Sequence, residues 1–137
     1  MITPRLSAAA KVLLVDDEAQ QMAARAQALD ASGFSVITAC GPLETIFMLA
    51  EGMTRIDVAI LDYHMPAMNG CTLARCIKAM CPRLKIILYS GVVDIFRTEM
   101  TWIDAFLPKT EGIGALIAHV VQFAPTLQHT GLGKPAA

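Results

Sequence analysis

Hydrophobic positions along the chain alternate between two rhythms. Residues 11–15, 58–61, 85–89 and 105–107 are short apolar runs that stop abruptly at a polar or turn residue, as strands buried on both faces do. Residues 34–39 form a fifth run, interrupted by Ser35 and Thr38, and suit a sheet edge. Between the runs the spacing becomes helical. Met22, Ala26 and Leu29 mark a helix over residues 18–31 that Gly33 stops. Pro42 opens a second helix, with Leu43, Ile46, Phe47 and Ala50 expected on its buried face and Gly52 beyond its end. Leu73, Cys76, Ile77 and Met80 share one side of a third over residues 71–80, ended by Pro82. A short fourth helix is expected over about residues 94–101, and Ile113, Leu116, Ile117 and Val120 define a fifth over 112–123.

Five strands alternating with five helices through short connections imply an α/β domain with a doubly wound parallel sheet. Right-handed crossovers with one reversal of strand order leave a crevice between the first and third strands. One domain over residues 11–123 is expected, with an N-terminal leader at 1–10 and a flexible C-terminal tail at 124–137. At 137 residues the chain suits one full core rather than two.

Charge and cysteine content narrow the partners. A formal net charge of −1 supplies no global basic field for nucleic acid. No apolar run approaches the roughly 20 residues of a membrane span or the core of a secretion signal, so a cytoplasmic place without membrane insertion is expected. Cys71, Cys76 and Cys81 stand five residues apart, and steps of about 140° on a helix scatter such thiols rather than converge them. With Cys40 they are expected to be reduced packing residues.

The chemistry collects at the strand ends. Asp16 and Asp17 follow the first strand, Asp62 the third, Ser90 the fourth and Lys109 the fifth, all at one edge of a parallel sheet. Close carboxylates repel by roughly 4 kcal/mol per pair at ~4 Å and an effective dielectric of ~20, so a cation or a proton must intervene. Hard oxygen donors with open positions suit Mg²⁺. A hydroxyl and an ammonium opposite them could hold a phosphoryl group, with Asp62 as carboxylate nucleophile. Each residue also has an ordinary explanation as a helix cap, a turn or a solvated lysine; four in the right order at one edge argue for the site.

The runs Val-Leu-Leu-Val-Asp16-Asp17-Glu18, Ile-Leu-Asp62-Tyr-His-Met-Pro66-Ala-Met-Asn-Gly70, Leu-Tyr-Ser90-Gly91 and Phe106-Leu-Pro-Lys109 closely resemble the receiver domains of two-component response regulators, over about residues 11–123. The resemblance implies a flavodoxin-like sheet of order 2-1-3-4-5. It implies that Asp62 accepts phosphate from a sensor histidine kinase or phosphotransfer protein. Asp17 and Asp62 would hold Mg²⁺ with the backbone carbonyl of His64, and Asp16 would act through water. Ser90 and Lys109 would bind phosphoryl oxygens. Ser90 and Phe106 would switch the surface of the fourth helix, fifth strand and fifth helix toward a downstream protein target.

The chain departs from that family pattern at two places. Thr110 replaces the usual proline after the lysine, which removes an expected cis bond. The stretch Met100-Thr-Trp102-Ile-Asp104 replaces a small pair, and Trp102 with Ile95, Phe96 and Ile103 is expected to form an apolar patch for a partner or a homodimer. Two other readings are an aspartate-nucleophile phosphatase and a degenerate receiver used only for interaction. His64 stands where the phosphatase would need its acid, and the complete acidic, hydroxyl and lysine set opposes degeneracy.

Overall fold

The computed structural model describes residues 9–52 and 55–124; most of the expected leader and tail lies outside them. β1 (Lys11–Val15), β2 (Ser35–Ala39), β3 (Val58–Leu61), β4 (Lys85–Ser90) and β5 (Ala105–Pro108) form one parallel sheet in the order β2-β1-β3-β4-β5. α1 (Ala19–Ala31), α2 (Pro42–Ala50), α3 (Gly70–Met80) and α4 (Gly112–Phe123) connect the strands, with a 3-10 helix at Arg97–Trp102 in the fourth place and a 3-10 turn at Lys109–Glu111 leading into α4. The sheet order and the five helical segments agree with the sequence reading.

Alternation along each strand divides the core in two, because successive side chains point to opposite faces. Val12, Leu14, Val58, Ile60, Ile87 and Leu107 pack against Met22 and Leu29 of α1 and Leu116 and Val120 of α4. Leu13, Val15, Ala59, Leu61, Ile86 and Leu88 pack against Leu73, Ala74 and Ile77 of α3 on the other face. The three central strands are buried on both sides, whereas β2 is only partly covered, as the expected edge strand should be. The body extends slightly past the expected domain limits. Ala10 and Ala124 are both buried, and the Ala10 carbonyl accepts a hydrogen bond from the Ser35 amide at 2.9 Å.

Three local expectations need correction. On α2, Leu43 and Phe47 are 66% and 65% exposed, and the buried residues are Pro42 and Thr45. Thr45 satisfies its hydroxyl by donating to the Gly41 carbonyl at 2.9 Å, which lets a polar residue take the inner face. On α3, Met80 is exposed and Cys71 and Ala74 are buried instead. The fourth helix is 3-10 rather than α and begins at Arg97. The Thr101 hydroxyl donates to the Thr98 carbonyl at 2.8 Å, and the Ile103 amide closes an i to i+3 bond on Met100, both of which favour the tighter turn.

Candidate phosphoacceptor site

The register of the sheet assembles the site. Val15 pairs with Leu61 and Leu61 with Leu88, so the residues that follow these strands emerge side by side at the carboxyl edge. The Asp62 amide donates to the Val15 carbonyl at 3.2 Å, fixing where the chain leaves β3. Asp16, Asp17 and Asp62 each offer a carboxylate oxygen, and the three oxygens lie within 4.8 Å of one another. Such a set of hard donors, one of them on the exposed Asp17, fits a divalent cation that keeps part of its water.

Asp62 is held on one oxygen and open on the other. Its Oδ1 accepts from the Lys109 ammonium at 3.1 Å and from the Tyr63 amide at 2.9 Å. Among the described residues Oδ2 has no hydrogen-bond partner, which leaves a lone pair for bond formation. Burial raises the Asp62 pKa above the ordinary carboxylate value; Lys109 opposes that rise, and the neighbouring charge of Asp16 adds to it. The sequence-based convergence of Asp16, Asp17, Asp62 and Lys109 therefore appears in the structure.

Ser90 and Phe106 stand differently. Ser90 is fully buried, and its hydroxyl donates to the Val92 carbonyl and accepts from the Val92 amide, both at 2.9 Å. It is engaged with the loop after β4 rather than with Asp62. Phe106 is half-buried against the core on the α3 side of the sheet. His64 is exposed and meets the Tyr63 ring edge-on at 5.1 Å between centroids. None of the described peptide bonds is cis, in keeping with Thr110 in place of proline.

Several supporting residues escaped the sequence reading. Arg25 of α1 reaches Asp16 Oδ2 at 2.6 Å; its signal was an arginine at helical spacing between Met22 and Leu29 on the inward face. The Asn69 side chain accepts from the Thr72 amide at 2.9 Å and caps α3, a role hidden behind the turn-like Asn-Gly pair. Gly70 lies under the acceptor backbone. A methyl group there would collide with the Asp62 carbonyl oxygen and stand 2.8 Å from Leu88 Cδ1. The Tyr63 hydroxyl donates to Glu99 at 2.8 Å, linking the residue after the acceptor to the 3-10 helix; no periodicity announces such a pair.

Comparison with known proteins agrees with this geometry. The family model described as the response regulator receiver domain matches residues 12–121. The chain is 34% identical over 107 residues to the sensor kinase CckA of Brucella abortus, covering 76% of this chain and 11% of that protein. It spans about half or less of the length of the other curated relatives it matches. A response regulator receiver protein from Pseudomonas putida superposes with a TM-score of 0.75 at 30% identity, over 83% of this chain and 97% of that one. The response regulator TrrA of Thermotoga maritima, solved in complex with Mg²⁺-BeF, has the same fold with a TM-score of 0.75 at 24% identity, over 83% and 98% of the two chains. With three carboxylates and a lysine gathered at the tips of a β2-β1-β3-β4-β5 sheet, and with a family match over nearly all of that sheet, the chain belongs to the response regulator receiver domain family.

Proposed function

We propose that Asp62 takes a phosphoryl group from the phosphohistidine of a sensor histidine kinase or phosphotransfer protein. The observation that carries this reading is the Lys109 ammonium 3.1 Å from Asp62 Oδ1, beside an acidic cluster able to hold a cation. Asp62 Oδ2 forms the new O–P bond as the P–N bond to the donor imidazole breaks, and the released nitrogen is protonated. Asp17 and Asp62 would hold Mg²⁺ together with the His64 carbonyl, and Asp16 would contribute through water. The ion supplies positive charge to the phosphoryl oxygens when bound. Lys109 pairs with one phosphoryl oxygen. Ser90 exchanges its bonds to Val92 for another, and Phe106 moves inward behind it.

The output is a change of surface, and the protein is a signalling module whose only chemistry is its own phosphorylation and dephosphorylation. The responding face comprises the 3-10 helix, β5 and α4. In and just before the 3-10 helix the exposed apolar residues are Val93, Phe96 and Trp102, at 65%, 78% and 43% exposure, whereas Ile95 and Ile103 are partly buried against the core and contribute less than expected. A downstream protein target or a second copy of the chain would dock there. Direct contact with nucleic acid is not part of the reading, and neither is membrane insertion. Among the described residues no helix is long and apolar enough to cross a membrane, and a cytoplasmic place accords with a kinase donor.

Incubation with acetyl phosphate and Mg²⁺, followed by intact-protein mass measurement, tests the proposal. One base-labile phosphoryl group per chain is expected, absent from Asp62→Asn and lost with chelator. Rapid multiple turnover of a phosphate ester would instead indicate a phosphatase. No modification at all would indicate a receiver used only for interaction.

A further inference from the structure

The acidic cluster already contains a fixed cation. Arg25 donates through Nη1 to Asp16 Oδ2 at 2.6 Å and through Nη2 to the Gln21 side chain at 3.1 Å, and its guanidinium carbon lies 5.1 Å from the centre of the Tyr89 ring. The Arg25 side chain is 16% exposed and that of Asp16 only 1%. Asp16 Oδ1 is also occupied, by the Glu18 amide at 3.0 Å. Both oxygens of Asp16 thus have protein donors, although Asp16 belongs to the group of three carboxylates. A guanidinium held by two hydrogen bonds and an aromatic face is not free to swing away when another cation arrives.

We propose that Arg25 is a built-in counter-ion that occupies Asp16, stabilises the acidic cluster without metal, and weakens the site's affinity for its divalent cation. The inference rests on the phosphoacceptor reading only in taking Mg²⁺ as the ion. Its physical content is a competition. Without metal, Arg25 offsets repulsion that Asp17 and Asp62 would otherwise add to Asp16. When a divalent cation binds, the same positive charge opposes it, and Asp16 Oδ2 is unavailable to it. Arg25 is therefore a positioning residue, acting through Asp16 rather than on the phosphoryl group.

The two effects have opposite signs, and this separates the proposal from a merely structural role. Calorimetric titration of the full chain with MgCl₂ and thermal unfolding in chelator would be compared for the wild type, Arg25→Met and Arg25→Lys. Arg25→Met is expected to bind Mg²⁺ roughly tenfold more tightly, as one fewer opposing charge near a divalent ion implies, while unfolding at a lower temperature in chelator. Arg25→Lys keeps the charge and should bind Mg²⁺ close to the wild type. Should Arg25→Met not fold, Arg25→Gln carries the same expectations, with a hydrogen-bond donor retained for Asp16.

Unchanged or weaker Mg²⁺ binding by the neutral variants, or equal tightening by Arg25→Lys, would overturn the inference while leaving the phosphoacceptor reading intact. A wild type that binds no Mg²⁺ would instead remove the metal site itself and the inference with it. The first failure shows only in the comparison of variants, the second in the wild type alone.

Discussion

At the scale of single residues, the acceptor carboxylate is held at a cost to folding. Burial raises the Asp62 pKa, so between the ordinary carboxylate value of 3.8 and the raised one the folded state binds more protons than the unfolded chain. Stability attributable to this group therefore falls as pH rises through that window and stays lowered above it. Lys109 limits the loss without removing it. Replacing the carboxylate by an amide deletes the penalty, so metal-free Asp62→Asn should unfold a few degrees above the wild type at neutral pH. The gap should shrink as the pH drops toward the ordinary carboxylate value, where wild-type Asp62 is also protonated. Thermal unfolding of both proteins across pH in chelator measures it, and a wild type more stable than the variant at neutral pH would refute this account. Gly70 shows the reverse case, a residue whose absent side chain sets the site. Gly70→Ala forces a methyl against the Asp62 carbonyl oxygen and Leu88. Denaturant unfolding should show a loss of about 2 kcal/mol, in the range of overpacking, and acetyl phosphate labelling should slow as the acceptor backbone shifts.

At the scale of elements, what the sequence revealed depended on how completely each element is enclosed. The central strands are buried on both faces, so their apolar runs end where the strands end, and Asp16, Asp62 and Ser90 could be placed at the sheet edge from pattern alone. α4 covers the expected residues 112–123, but its buried residues are Leu116 and Val120, and Ile113 is exposed rather than on the inner face. The inner face of α2 is not legible from the sequence, because the helix is apolar nearly all round. Periodicity cannot select a face when Leu43, Ile46, Phe47, Met48 and Leu49 surround the axis, and the inner position belongs to Thr45, whose hydroxyl is satisfied locally. The fourth helical segment is legible but its 3-10 geometry is not, since the Thr101 hydroxyl bonds the Thr98 carbonyl in a way that hydropathy does not register. The roles of Arg25 and Tyr63 are hidden because their partners, Asp16 and Glu99, lie 9 and 36 residues away. Long-range polar pairs leave no periodic trace in one sequence.

At the scale of the whole molecule, the proposed function requires a signal raised at Asp62 to reach the 3-10 helix that carries Trp102. Besides the Lys109 ion pair, which ties Asp62 to the turn after β5, a second polar connection reaches that 3-10 helix. Tyr63 bonds Asp62 through its amide and Glu99 through its hydroxyl, at 2.9 and 2.8 Å, and Glu99 lies in the same 3-10 helix as Trp102. A shift of Asp62 on phosphorylation would pull on Tyr63 and so on the turn that carries Trp102. This is a physical coupling only if removing the bond weakens the response without blocking the chemistry. Glu99 is away from the acceptor, so Glu99→Ala should be labelled by acetyl phosphate to the wild-type extent. The lost bond should cost about 1 kcal/mol of stability, and the change in Trp102 emission on phosphorylation should fall by roughly half, the remainder travelling through Ser90 and β5. The chain has a single tryptophan, so the emission reports this helix alone. A full-sized emission change in Glu99→Ala would place the transmission elsewhere in the sheet, and loss of labelling in that variant would show that Glu99 supports the acceptor itself.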